Sequence, residues 1–178
     1  MTPHIQTANG YFNFITPRQE DVSIEAVADA LSKLCRFTGH CREFYSIAQH
    51  SVLVAQLCPP QLRLWGLLHD AVEAFVGDVA SPLKQLLPEY KAIEHRVERV
   101  VWARFGLQGD RMPAEVKVAD LCALAIERRD LMPFHPDSSA WGHLPPIPRC
   151  LDFTIEPLPP KAARELFMAW FDYLKGIA

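Results

Sequence analysis

The chain has 178 residues, enough for one domain with a sizeable core. Hydrophobic residues make up 49% and charged residues 22%, and the net charge of -3 leaves no basic footprint for nucleic acid. No apolar run approaches the ~18 residues that a membrane span needs, and the opening MTPHIQTANGYF has neither the basic nor the apolar part of a signal peptide. Cys35, Cys41, Cys58, Cys122 and Cys150 are odd in number and form no CxxC pair. That predicts reduced, mostly buried thiols in a cytoplasmic protein rather than a disulfide frame or a zinc ribbon.

In chain order, Asn9-Gly10 lies between IQTA and YFNF, so a small hairpin over roughly 5–14 is expected, with Asn-Gly at the turn. From Ser23, a fitting N-cap, the period becomes helical, with Ile24, Val27, Ala28, Leu31 and Leu34 on one stripe. A second helix is expected over 43–57, with Ile47, His50, Val54 and Leu57 on or beside its inner face. After Pro59-Pro60 comes a third over 61–75, apolar almost all round at LWGLL and therefore buried. Pro88 opens a helix closed by Gly106, Pro113 opens one running to Asp130, and Pro160 opens one ending near Gly176. Between the last two, MPFHPDSSAWGHLPPIPRCLDF reads as an ordered proline-rich loop. No repeat or linker splits the chain, so 1–178 is a single, mainly α domain with a small N-terminal hairpin.

His69-Asp70, in WGLLHDAVEAFVGD, carries most of the chemical information. The pair offers an imidazole and a carboxylate to one point where the helix closes on it. His50 and Asp120, nineteen residues before and fifty after, complete a four-ligand N/O set for a divalent metal with water in its other positions. Glu73 lies four residues past His69, one turn beyond an obvious ligand and placed to handle a proton. Asp78 follows Gly77, where a loop can fold its carboxylate back. Lys117 stands three residues before Asp120 on one helix face. A buried histidine on an apolar helix is more often a satisfied core residue, and Asp120 can simply pair with Lys117. That bland reading weakens for HDxxE, because burying His, Asp and Glu together is costly unless a cation compensates. His95 in IEHRVER reads as surface; His4, His135 and His143 sit in loops without a role; His40 is a candidate for substrate contact.

The order His50, His69-Asp70, Asp120 resembles the HD-domain metal-dependent phosphohydrolases, over roughly 20–175. HDAVEAFVGDVASPLK is similar to the branch holding bacterial 5′-deoxynucleotidases and short phage deoxynucleoside triphosphohydrolases, including those acting on dATP. An HD pair alone is weakly specific; HD-x2-E-x4-D followed by P-x-K is much more so. The resemblance implies a helical bundle in which His50, His69, Asp70 and Asp120 ligate one divalent transition metal (Co, Mn, Ni, Fe or Zn), with room for a second divalent ion carried by the substrate phosphates. Glu73 would be the general acid or base, and Asp78 would bind substrate or orient water. Pro82 and Lys84 of SPLK, Lys117 of KVAD, and Arg36, Phe37 and Gly39 of LCRFTGH would form the substrate site. Phe37 stands where the family often has tryptophan, and Gly39 has no side chain to exclude an exocyclic group on the base.

The resemblance implies a hydrolase that converts a deoxynucleoside triphosphate to nucleoside and triphosphate, or a monophosphate to nucleoside and phosphate. The alternatives are an HD hydrolase of a signalling nucleotide and a non-catalytic nucleotide-binding helical protein. The expected partner is a small-molecule deoxynucleotide, with neither nucleic acid nor membrane. A homo-oligomer is expected too, because Trp65, Trp102, Trp141 and Trp170 supply aromatic surface for a dimer.

Overall fold

Two short strands, β1 (His4–Thr7) and β2 (Gly10–Asn13), precede the helices α1 (Ile24–Leu31), α2 (Ile47–Leu57), α3 (Arg63–Leu68), α4 (Glu73–Val76), α5 (Ser81–Lys84), α6 (Pro88–Phe105), α7 (Ala114–Leu131) and α8 (Pro160–Gly176). The structure is a computed structural model and describes residues 2–109, 111–137, 139–148 and 151–176. The mainly α fold with an N-terminal antiparallel hairpin is the one expected. No described helix is long and apolar enough to cross a membrane.

The hairpin turn sits one residue earlier than expected. Thr7 pairs with Gly10, so Ala8 and Asn9 make the turn and Gly10 opens β2 at φ +145. The Asn9 amide donates to Ser23 Oγ, and that oxygen also accepts from Ala26 N at 3.1 Å as the N-cap of α1. Asn9 thus ties the hairpin to the first helix.

The helix expected over 43–57 begins only at Ile47. Residues before it pair with the 34–36 segment: Arg36 N donates to Tyr45 O and Ile47 N to Leu34 O. Ser46 then caps α2, its hydroxyl accepting from Gln49 N at 3.1 Å. The helix expected over 61–75 is broken. A 3-10 turn at Pro60–Leu62 leads into α3, and α4 starts again at Glu73. Between them Ala71 N bonds Leu68 O and Glu73 N bonds Asp70 O, three residues back, which tightens the chain. The break lies at His69-Asp70, where the pair has to face one point. α6, α7 and α8 fall where the prolines and glycines placed them, with Gly106 closing α6 in the left-handed region at φ +75.

α2 is the central strut, packed on α3, α7 and α8. Gly66 makes the α2–α3 approach possible. A Cβ there would stand 2.7 Å from Cys58 Sγ and 3.0 Å from Ala55 Cα. The core gathers Phe12, Val27, Leu31, Ile47, Leu67, Val97, Ile126 and Phe167. Trp65 and Trp102 pack edge to face, 4.9 Å between centroids, inside this core. They are therefore not surface for a dimer, a correction that follows from their apolar helical neighbours. The segment that follows the long loop after α7 is tied to the bundle by hydrogen bonds. Gln49 donates to Glu156 O and accepts from Leu158 N, and Asp130 accepts from Ile155 N. Cys35, Cys41 and Cys58 are free thiols, but only Cys58 is buried and the other two are half-buried, short of the mostly buried set expected; Cys150 lies outside the described residues.

Candidate metal centre and its cavity

Three helices and the α3–α4 break bring four side chains together. His50 Nε2 lies 3.3 Å from His69 Nε2, and Asp120 Oδ1 lies 3.5 and 3.9 Å from those two nitrogens. Asp70 Oδ2 stands 3.1 Å from His69 Nε2 and 3.5 Å from His50 Nε2. His50, His69 and Asp120 form a group that could hold a metal ion.

The other nitrogen of each ring decides what the inner ones can do. His50 Nδ1–H donates to the Glu127 carboxylate at 2.6 Å, and His69 Nδ1–H donates to Gly66 O at 2.8 Å. With both Nδ1 atoms carrying hydrogen, both neutral rings turn a bare lone pair inward. Two lone pairs 3.3 Å apart, flanked by two carboxylates, repel unless something positive lies among them. Two nitrogens each about 2.1 Å from one ion stand roughly 3.0–3.4 Å apart at tetrahedral or cis-octahedral angles. The residues fit a divalent ion, and the outer hydrogen bonds fix the rings in the ligating tautomer.

Electrostatics carry the same demand. Burial and the Arg36 charge disfavour a charged His50, yet Glu127, Asp120 and Asp70 outweigh them and raise it well above the ordinary imidazole range. Burial would raise Asp70 and Asp120, but the two imidazoles hold both below the usual carboxylate range. The cluster is built around one positive charge, whether proton or metal.

Glu127 went unnoticed in the sequence, although it lies seven residues, or two turns, past Asp120 on the same helix face. It is fully buried and also accepts from Arg36 Nη2 at 3.0 Å. Arg36 therefore serves the interior as much as the cavity. Its side chain is 13% exposed, and Nη1 reaches to within 3.8 Å of Asp70. Burial works against the guanidinium, but Glu127, Asp70 and Asp120 raise its pKa.

A cavity of about 680 Å³ opens over the cluster. Arg36, Phe37, Glu73, Asp78, Pro82, Lys84 and Lys117 all line it. Gly39 does not: it is exposed at φ +81, at the end of the turn that carries Phe37 and Thr38 at φ 56 and 54. His40, the other candidate for substrate contact, lines a different cavity. Lys84 is paired with Glu94 at 2.6 Å, and Lys117 with Asp120 at 2.7 Å. Glu73 is the unbalanced member. It is 7% exposed, and its Oε2 is buried without a hydrogen-bond partner among the described residues. Burial, followed by the charges of Asp70 and Asp78, raises it well above the ordinary range. Asp78 is raised as well, chiefly by burial. Trp141 and His143, given no role at the site from the sequence, reach the rim from the proline-rich loop. His95 is 73% exposed on its side chain, as expected.

No family model matches the chain. It is 42% identical over 174 residues to the uncharacterized protein YfdR of Escherichia coli (strain K12), the match covering 97% of this chain and 96% of that one. It is also 32% identical over 127 residues to an uncharacterized protein of Rhodobacter capsulatus, covering 66% of this chain and 64% of that one. An identity of this size along nearly the whole of both chains places the protein in the family of YfdR.

Proposed function

We propose that the protein is a metal-dependent phosphohydrolase of the HD-domain kind, acting on deoxynucleoside 5′-phosphates. One observation carries the reading. Two buried imidazoles, held by Glu127 and Gly66 in the tautomer that turns lone pairs inward, face Asp70 and Asp120 at the floor of a cavity. His50, His69, Asp70 and Asp120 would hold the ion, drawn from Mn, Fe, Co, Ni or Zn according to supply. Such an ion supplies Lewis acidity toward a phosphoryl oxygen and a lowered pKa for water.

The chain's own residues divide the remaining work. Glu73, raised by burial and lacking a partner for Oε2, holds a proton that it can deliver to a leaving oxygen. Asp78, on the same cavity wall, orients water or a substrate hydroxyl. Lys84 and Lys117, both on the cavity wall and each paired with a carboxylate, offset phosphate charge. Phe37 offers a ring face to sugar or base, with the Arg36 guanidinium 5.4 Å from its centroid. Cleavage of a monophosphate ester yields nucleoside and phosphate; cleavage at the α-phosphorus of a triphosphate yields nucleoside and triphosphate.

The test is a phosphate- and triphosphate-release panel over deoxy and ribo mono-, di- and triphosphates, with each metal in turn. Wild type is expected to turn over deoxynucleotides only with a divalent ion. Asp120→Ala is expected to lose bound metal, measured by elemental analysis, together with nearly all turnover. Near-normal turnover by that variant, or no release from any nucleotide with any metal, overturns the proposal.

A further inference from the structure

A second cavity, of about 960 Å³, lies beyond the C-terminal half of α7 and is lined by the loop that follows it. Its chemistry is the opposite of the metal centre's. Arg42, Arg128 and Arg129 line it against one carboxylate, Asp137. Arg129 is committed to Asp130 and to Phe153 O. Arg42 and Arg128 have no carboxylate partner among the described residues. Arg128 instead lies over the Trp141 ring, 5.4 Å from its centroid. His40 lines the same wall, and His135 donates its Nδ1–H to Asp137 O. Phe134, 87% exposed, presents a bare aromatic face at the mouth.

We propose that this cavity is a second nucleotide-binding site that needs no metal. Unpaired guanidinium forks match phosphate oxygens, and an exposed ring beside them stacks a base. The acid-lined cavity over the metal centre repels a polyphosphate until a cation is present, whereas this one attracts it directly. The two cavities share Ala140 and Trp141, and α7 supplies Lys117 and Asp120 to one and Arg128 to the other. A ligand here therefore adjoins the catalytic cavity without occupying it.

The test is equilibrium binding of dATP and of inorganic triphosphate to the full chain with chelator present. Both are expected to bind saturably, and Arg42→Glu/Arg128→Glu is expected to weaken both at least tenfold. Phe134→Ala, which removes an exposed ring and cannot unsettle the core, is expected to weaken dATP about tenfold and leave triphosphate unchanged. Asp120→Ala is expected to leave both intact. Absence of saturable binding, equal binding by the double arginine variant, or loss of binding in Asp120→Ala overturns the proposal. Because no metal and no turnover enter this measurement, its failure is distinct from failure of the hydrolase reading.

Discussion

The two cavities on either side of α7 are made from the same helix and carry opposite charge. The inner one is walled by Asp70, Glu73, Asp78 and Asp120, and its floor is buried in the core between α2, α3 and α7. The outer one is walled by arginines and by a loop held to the bundle through a few polar contacts. Acidic groups in the interior require a compensating cation, because desolvated carboxylates and lone pairs cannot be left facing one another. Arginines at a partly open wall can wait for an anion in contact with water. The contrast teaches that burial, more than residue type, decides which cluster demands a compensating charge.

The largest expected effect concerns the inner floor. Glu127→Ala leaves the buried His50 Nδ1–H and Arg36 without their acceptor. Loss of one partner of such a buried network costs about 3–5 kcal/mol, so chemical denaturation is expected to show the variant close to unfolding. A variant nearly as stable as wild type would mean that the floor is not the charged keystone described above. Next comes removal of the ion itself. At a metal concentration 100 times its Kd, binding stabilises a folded protein by about 2.7 kcal/mol. Chelator is therefore expected to lower the Tm of wild type and to leave that of Asp120→Ala unmoved, while nucleotide binding in the outer cavity persists.

Gly66→Ala follows. The added Cβ meets Cys58 Sγ and the Ala55 backbone, forcing α2 and α3 apart just where they present His50 and His69. Overpacking of this sort costs about 1–3 kcal/mol, and metal affinity is expected to fall with it. The smallest effect belongs to the outer loop. Burial works against a charged Asp130, but Arg129 and the Ile155 N–H outweigh it and hold the carboxyl below its ordinary range. A depressed folded value means that this contribution is present above the ordinary aspartate pKa of about 4 and is lost as pH falls through the folded one. Asp130→Asn is expected to reduce the acid sensitivity of the loop, read by hydrogen exchange at Ile155 across pH 3 to 6. Unchanged sensitivity would place the loop's anchor elsewhere.

Helix ends and core were legible because they depend on local chemistry. Ser23 caps α1, Pro88 and Gly106 bound α6, and Pro160 opens α8, as their backbone preferences dictate. Part of the candidate site was legible for a related reason: His69, Asp70, Glu73 and Asp78 lie in one short segment whose burial demands compensation. What was missed depended on partners far along the chain. The break at His69-Asp70 replaced a continuous helix, the turn moved to Ala8-Asn9, and Trp65 and Trp102 turned inward on each other. Glu127 looked like any charged residue of a polar helix until His50, 77 residues away, and Arg36, 91 residues away, were found against it.

Periodicity and turn chemistry, which act within a few residues, determined from the sequence alone that the chain is a helical bundle and which polar groups lie within its apolar stretches. Only the tertiary structure decided that His50, His69, Asp70 and Asp120 meet while Gly39 and His40 stand apart, and that Arg36 faces Glu127. Those outcomes depend on how closely α2, α3 and α7 approach, a distance set by Gly66 and by packing across the whole core.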